Sequence, residues 1–196
     1  MTRSPADVAQ GLGAAASDVA TALYTIDNAP DMVFVRTQAD GGNPAAVTVM
    51  ASLGLAWERY TLLKEAVDRL DAAVAGRRAP EIDTLLGPAA VRLPDGTAIG
   101  IAQLAEDIQL RVDQIGPRLT GLAGAARQAV ARLDAAQVAT RDIVARASAL
   151  GAVDDVEITA LRSALDRTVT AVSTDPSQDA GLADLDRLVA EAGRRV

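Results

Sequence analysis

The chain contains no histidine and no cysteine, and only four of its 196 residues are aromatic: Tyr24, Phe34, Trp57 and Tyr60. The two missing residue types exclude Ser-His-Asp and Cys-His catalytic pairs, zinc sites of the usual Cys/His kind, Glu-x-x-His di-iron bundles, phosphohistidine relays, disulfides and CxxC redox centres. No catalytic residue, cofactor site or metal site is therefore expected, and the chain reads as not an enzyme. Lysine occurs once, at Lys64, against 18 arginines. With the alanine content, that ratio reads as the coding bias of a GC-rich, bacterial genome. The basic residues are scattered singly among 26 Asp and Glu, for a net charge of -7. The electrostatic footprint of a phosphate binder is absent, so nucleic acid is not an expected partner.

Long hydrophobic runs are also lacking. The longest uncharged stretch, Gly41 to Trp57, has an apolar part of about a dozen residues, against the roughly 20 that a membrane-spanning helix needs. The start Met1-Thr2-Arg3-Ser4-Pro5 is not followed by the apolar region of a secretory signal. No transmembrane segment is expected, and the location expected is cytoplasmic.

What the chain has in quantity is alanine, at 42 positions. A core built from small apolar residues relies on close approach of backbones, which favours helices packed through Ala with Leu, Val and Ile at intervals. The fold class expected is all-α: an elongated antiparallel helical bundle or coiled-coil hairpin, forming a single extended helical domain over residues 1–196.

The helices can be placed by their caps and stripes. Ser4-Pro5 is an N-cap followed by proline at the first helical position, and Val8, Leu12, Ala15, Val19, Leu23 and Ile26 step by three or four, predicting a helix over about 5–28. Residues 31–40 contain Met32-Val33-Phe34-Val35, compatible with a short strand, an extended cover or a helical turn. Asn43-Pro44 repeats the cap signal and opens a helix over about 44–76, with Gly76 placed as its C-terminal glycine. Pro80 to Gly87 reads as one or two helical turns. Residues 88–100 alternate around Pro94-Asp95-Gly96, the chemistry of a β-turn or small hairpin.

The strongest stripe runs from Ile101 through Leu104, Ile108, Val112, Ile115, Leu119, Leu122, Ala126, Val130 and Leu133, and more weakly through Ala136, Thr140, Val144 and Ala147 to Leu150. It keeps its phase across Gly116-Pro117, predicting one helix over about 98–150 kinked at 117 rather than a reversal. About 50 residues at 1.5 Å each would span about 75 Å, against a diameter of about 40 Å for a compact chain of this length. Helices over about 155–173, capped by Asp154-Asp155, and 180–194 complete the chain. Acidic-then-basic pairs are expected at Glu65/Arg69, Asp107/Arg111 and Asp142/Arg146.

Several motifs have a bland explanation. Gly11-Leu12-Gly13 with Ala16 matches a relaxed dinucleotide fingerprint but falls inside a helix already capped at Ser4, where small residues for helix packing are the simpler reading. Asp154, Asp155 and Glu157, and the pair Asp184 and Asp186, read as solvated or dipole-complementing carboxylates. Lys64 reads as a stem along the core edge with its ammonium in water. Gly121, Ala125 and Ala129 form a small-xxx-small line that marks close approach of a second backbone, from an intramolecular neighbour or from another copy of the chain.

Trp57 and Tyr60 on one helix face, with Leu85, Leu86, Val91 and Leu93 in the turn region, are the candidate partner-binding residues. The function expected is a non-catalytic helical interaction protein: a scaffold, adaptor or structural subunit that self-associates into an oligomer or docks on a protein partner. The alternative, resting on composition alone, is an amphipathic, phasin-like coat for a lipid or polymer surface.

Overall fold

The structure is a computed structural model that describes residues 4–151, 155–175 and 179–196. Seven α-helices and one two-stranded antiparallel sheet appear among those residues: α1 (Pro5–Asp27), α2 (Pro30–Asp40), α3 (Pro44–Ala75), α4 (Ala79–Leu85), β1 (Val91–Arg92), β2 (Ala98–Ile99), α5 (Ile101–Ala149), α6 (Val156–Thr174) and α7 (Asp179–Arg195). The fold is all-α with a small β-hairpin. Packing divides it into two compact units, one from Met1–Val33 and Thr48–Leu119, the other from Phe34–Val47 and Thr120–Val196.

The capping residues act as their spacing implies. Ser4 closes a capping box with Asp7, accepting from the Asp7 amide at 3.2 Å while the Asp7 carboxylate takes the Ser4 amide. Asn43 caps α3, its Oδ1 accepting from Ala45 N at 3.0 Å and Ala46 N at 3.2 Å. Asp155 caps α6 through Glu157 N at 2.7 Å. Its expected co-capping neighbour Asp154 lies outside the described residues. Residues 31–40, for which three conformations were open, fall within the helix Pro30–Asp40.

Helix ends differ from expectation by a residue. The left-handed position after α3 is taken by Arg77, at φ 52°, and not by Gly76. Arg78 N donates to Ala73 O at 2.9 Å and Arg77 N to Val74 O at 3.1 Å, the paired bonds of a Schellman motif. The same motif ends α2, with Gly42 at φ 85° and Asn43 N donating to Gln38 O at 2.9 Å. There a glycine does hold the left-handed position. The long helix begins at Ile101 and not at 98, because Ala98 and Ile99 pair with Arg92 and Val91 across the Pro94-Asp95-Gly96 turn. Asp95 Oδ1 accepts from Thr97 N at 2.9 Å within that turn. Thr97's hydrogen bonds hold the Asp95 carboxylate below its ordinary pKa, with a smaller contribution from the Arg59 charge.

In the first unit, Leu23, Leu63, Leu70, Leu85, Leu104, Ile108 and Ile115 are fully buried. The hairpin adds Val91, Leu93 and Ile99 to the buried set, its pairing supported by side chains that face inward. In the second unit α5, α6 and α7 share one core, with Leu133 and Ile143 from α5, Ile158 and Leu161 from α6, and Leu182 and Leu185 from α7. Two threonines are buried there, and each donates its hydroxyl to the carbonyl four residues back, Thr140 to Ala136 and Thr168 to Ala164.

Along α5 the buried line departs from the expected stripe. Val130 is 53% exposed and Leu150 70% exposed, while Ala129, Ala136, Ile143 and Ala147 are buried. Beyond Leu119 the core recurs every seven residues at 126, 133, 140 and 147 and at 129, 136 and 143. Helical phase, and not the size of the nearest aliphatic, selects the inward position. On the small-residue line, a Cβ added at Gly121 would meet nothing within 4 Å, so no neighbour from the described part of the same chain approaches closely there. Gly11 and Gly13 are equally open, so packing does not require glycine at either.

Helix α5 runs through Pro117 without reversing. Proline supplies no N–H to the Asp113 carbonyl, and its ring is exposed. Pro117→Ala is expected to raise the free energy of unfolding by about 1–2 kcal/mol, below the ~3 kcal/mol of helix propensity because alanine also loosens the unfolded chain. Urea titration followed by circular dichroism reads this directly; an unchanged or lowered stability would mean that the proline is supported by contacts of its own.

Candidate functional site

Three of the four aromatic side chains meet in the first unit. Trp57 and Tyr60, three residues apart on α3, lie on one face, with ring centroids 5.7 Å apart and planes at 80°. Tyr24 comes from α1 and meets Trp57 at a centroid distance of 4.9 Å, with planes at 70°. Both contacts are edge-to-face, the arrangement that the aromatic quadrupole favours and that adds about 0.5–1.5 kcal/mol per pair beyond area burial. The rings touch each other, leaving no gap in which a quaternary ammonium could sit between them.

This cluster is at the surface. Tyr24 is 57% exposed, and Trp57 and Tyr60 are half-buried. Of the other candidate partner-binding residues, Leu86 is 37% exposed, whereas Leu85, Val91 and Leu93 are buried in the unit's core. Those three help to hold the hairpin and α4 in place. Tyr24 was not among the candidates. Its signal in the sequence is that it sits one place off the Val19, Leu23, Ile26 stripe, which makes it an aromatic residue on a face with no intrachain reason to be apolar.

Beside Trp57 in sequence, Arg59 reaches from α3 to Asp107 on α5. Asp107 also accepts from Arg111 Nε at 3.0 Å, the expected i, i+4 pair. The Arg59 side chain is only 13% exposed and that of Asp107 28%. Partial burial opposes the charged carboxylate, but the hydrogen bonds and charges of Arg111 and Arg59 outweigh it and hold Asp107 below the ordinary carboxylate range. The other two expected pairs, Glu65/Arg69 and Asp142/Arg146, form no ion pair.

The remaining ionisable groups take structural positions. Lys64 is exposed and donates to Asp68 Oδ2 at 2.7 Å, and that hydrogen bond and charge raise its pKa. An activated nucleophilic lysine needs the opposite shift. Asp186 pairs with Arg132 at 2.6 Å and Glu157 with Arg195 at 2.6 Å. The Gly11-Leu12-Gly13 motif lies in mid-α1, with no strand leading into it to aim a helix N-terminus at a pyrophosphate. Among the described residues, no three acidic side chains gather in a way that could hold a metal ion.

No protein-family model matches the chain, and no curated protein or solved structure is detectably similar to it. The site's reading therefore rests on its own chemistry. Its features are an aromatic cluster open to solvent and, in the same unit, a charge triad that joins two helices.

The triad makes a prediction with a definite sign. A carboxylate whose pKa is lowered by folding contributes stability above its unfolded value, near 3.9, and loses that contribution as the pH falls through the lower folded value. Asp107→Asn should cost about 1–3 kcal/mol at neutral pH, because Arg59 is left largely buried without its counter-ion. Denaturation across pH 7 to 2 should show the gap between wild type and variant closing below about pH 4. A gap that stays constant with pH would remove the charge of Asp107 from the account.

Proposed function

We propose that the chain is a non-catalytic helical interaction protein, a scaffold, adaptor or structural subunit that meets a protein partner or a second copy of itself through Tyr24, Trp57 and Tyr60. The observation that carries this reading is the aromatic triad at the surface, with Tyr24 exposed and Trp57 and Tyr60 half-buried. In a chain with four aromatic residues, gathering three at the surface spends its largest apolar side chains where they add least to the core. Trp and Tyr are the residues most enriched at binding hot spots, since they offer large, rigid contact area with a polar edge.

Two further features support it. The triad is built on α1 and α3, so its geometry is held by helices rather than by a loop. The stripes that an amphipathic coat would turn toward lipid or polymer are already buried within each unit, as Leu23, Leu63 and Leu104 illustrate in the first and Leu161 in the second. No helix among the described residues is long and apolar enough to cross a membrane. A cytoplasmic location belongs to the same proposal, consistent with a chain that needs no disulfide.

Multi-angle light scattering over a concentration series, with cross-linking in the native cell, tests the reading. Wild type should show a mass above that of one chain, or a cross-linked protein partner. Combined Tyr24→Ala and Trp57→Ala should weaken that association about 30-fold or more, the equivalent of the roughly 2 kcal/mol of a hot spot, with helicity unchanged. A monomer at every concentration, with wild type and variant giving the same cross-links, would end the proposal.

A further inference from the structure

The second unit contains a trough between α5 and α6 of about 440 Å³. That volume is within the range of small-molecule sites. Its apolar wall is Val144 and Ala145 from α5 and Leu165 from α6. Thr140 contributes mainly its methyl group, because its hydroxyl proton is committed to Ala136 O at 2.7 Å.

The charged side chains around this wall are of one sign. Arg141 and Arg162, one on each helix, both border the trough, and neither guanidinium has a hydrogen-bond or ion-pair partner among the described residues. The Gln137 amide beside them is likewise unengaged. No Asp or Glu lines the trough, although the chain as a whole has 26 acidic residues against 19 basic ones. Elsewhere in the same unit arginines do find carboxylates, Arg132 with Asp186 and Arg195 with Glu157. Two unpaired guanidinium forks beside an aliphatic wall suit a ligand with an anionic head and an apolar body. The fork matches the oxygens of a carboxylate or a phosphate, and the wall matches a hydrocarbon chain.

We propose that this trough binds a single aliphatic chain ending in an anionic head group, the head held by Arg141 and Arg162 and the chain lying along Val144, Ala145 and Leu165. The volume suits one chain and not the surface of a lipid layer, so the ligand is a free single-chain anion. Gln137 donates a further hydrogen bond to the head. The site uses none of the residues of the aromatic triad, and stands or falls separately from the association proposed there.

Titration calorimetry of the full chain with decanoate, decyl phosphate, decanol and decylammonium, each kept below its aggregation concentration, tests the site. Saturable binding of decanoate or decyl phosphate at one per chain is expected, at least tenfold tighter than decanol, with no binding of decylammonium. Arg141→Gln with Arg162→Gln should weaken the anion at least tenfold and leave decanol unchanged. Both arginines are exposed, so helicity should be retained. Ala145→Trp, which fills the trough from an exposed position and leaves both charges in place, should abolish binding of anion and alcohol alike. The proposal is overturned if no anion binds, if decanol binds as well as decanoate, or if the arginine variants bind like wild type. It is also overturned if the protein floats with phosphatidylglycerol vesicles yet takes up neither free anion.

Discussion

A core made of small and medium aliphatic side chains, with no ring among them, is the constraint on which the rest of this structure depends. Of the 42 buried apolar residues described, 14 are alanine, and none is aromatic. A buried methyl contributes only about 0.8 kcal/mol of transfer free energy, against about 1.5–3 kcal/mol for a Leu or Ile. The shortfall is offset by the many weak contacts that become available when two backbones come near each other. Tyr24, Phe34, Trp57 and Tyr60 are all left exposed or half-buried. The surface aromatic cluster and the alanine core are two results of the same choice of residue sizes.

The same constraint limits what polar groups can do inside. Buried Thr140 and Thr168 each bond to the carbonyl four residues back in their own helix, and Thr168 also reaches Gly181 O on α7 at 3.4 Å. Other polar side chains cross between elements from half-buried or buried positions. Arg59 reaches Asp107 from a side chain 13% exposed. Asn43, capping α3 with its oxygen, donates through its amide nitrogen to Asp175 Oδ1 at 3.0 Å, fastening segments 132 residues apart. These links select one arrangement of helices that alanine alone, being nearly featureless, would leave loosely specified.

Much of this was legible in the sequence. Caps at Ser4, Asn43 and Asp155 and the hairpin around Pro94-Asp95-Gly96 follow from local chemistry that tertiary packing does not override. The departures have separate causes. Val130 is larger than Ala129 and Val144 falls in step with Thr140, yet helical phase turns Ala129 and Ile143 inward. Gly76 looked like the left-handed residue that proved to be Arg77, because propensity was read without the hydrogen bonds that fix the register of a helix end. Leu85, Val91 and Leu93 looked available to a partner because a turn region suggests exposure, yet a two-stranded hairpin keeps its shape only by burying such side chains. Tyr24 was overlooked although its place off the stripe marked it. In a chain so poor in aromatics, that placement is the more informative observation.

The claim that alanine sets the helix spacing can be tested at Ala147, fully buried in α5 among side chains of α6 and α7. Leucine there should be forced against neighbours that cannot retreat, lowering the free energy of unfolding by about 1–3 kcal/mol, whereas leucine at exposed Ala135 on the same helix should change it by no more than about 0.5 kcal/mol. Paired urea denaturation of the two variants reads the difference. If Ala147→Leu is as stable as wild type or more so, the core has room that this account denies it, and the small residues are there for some reason other than spacing.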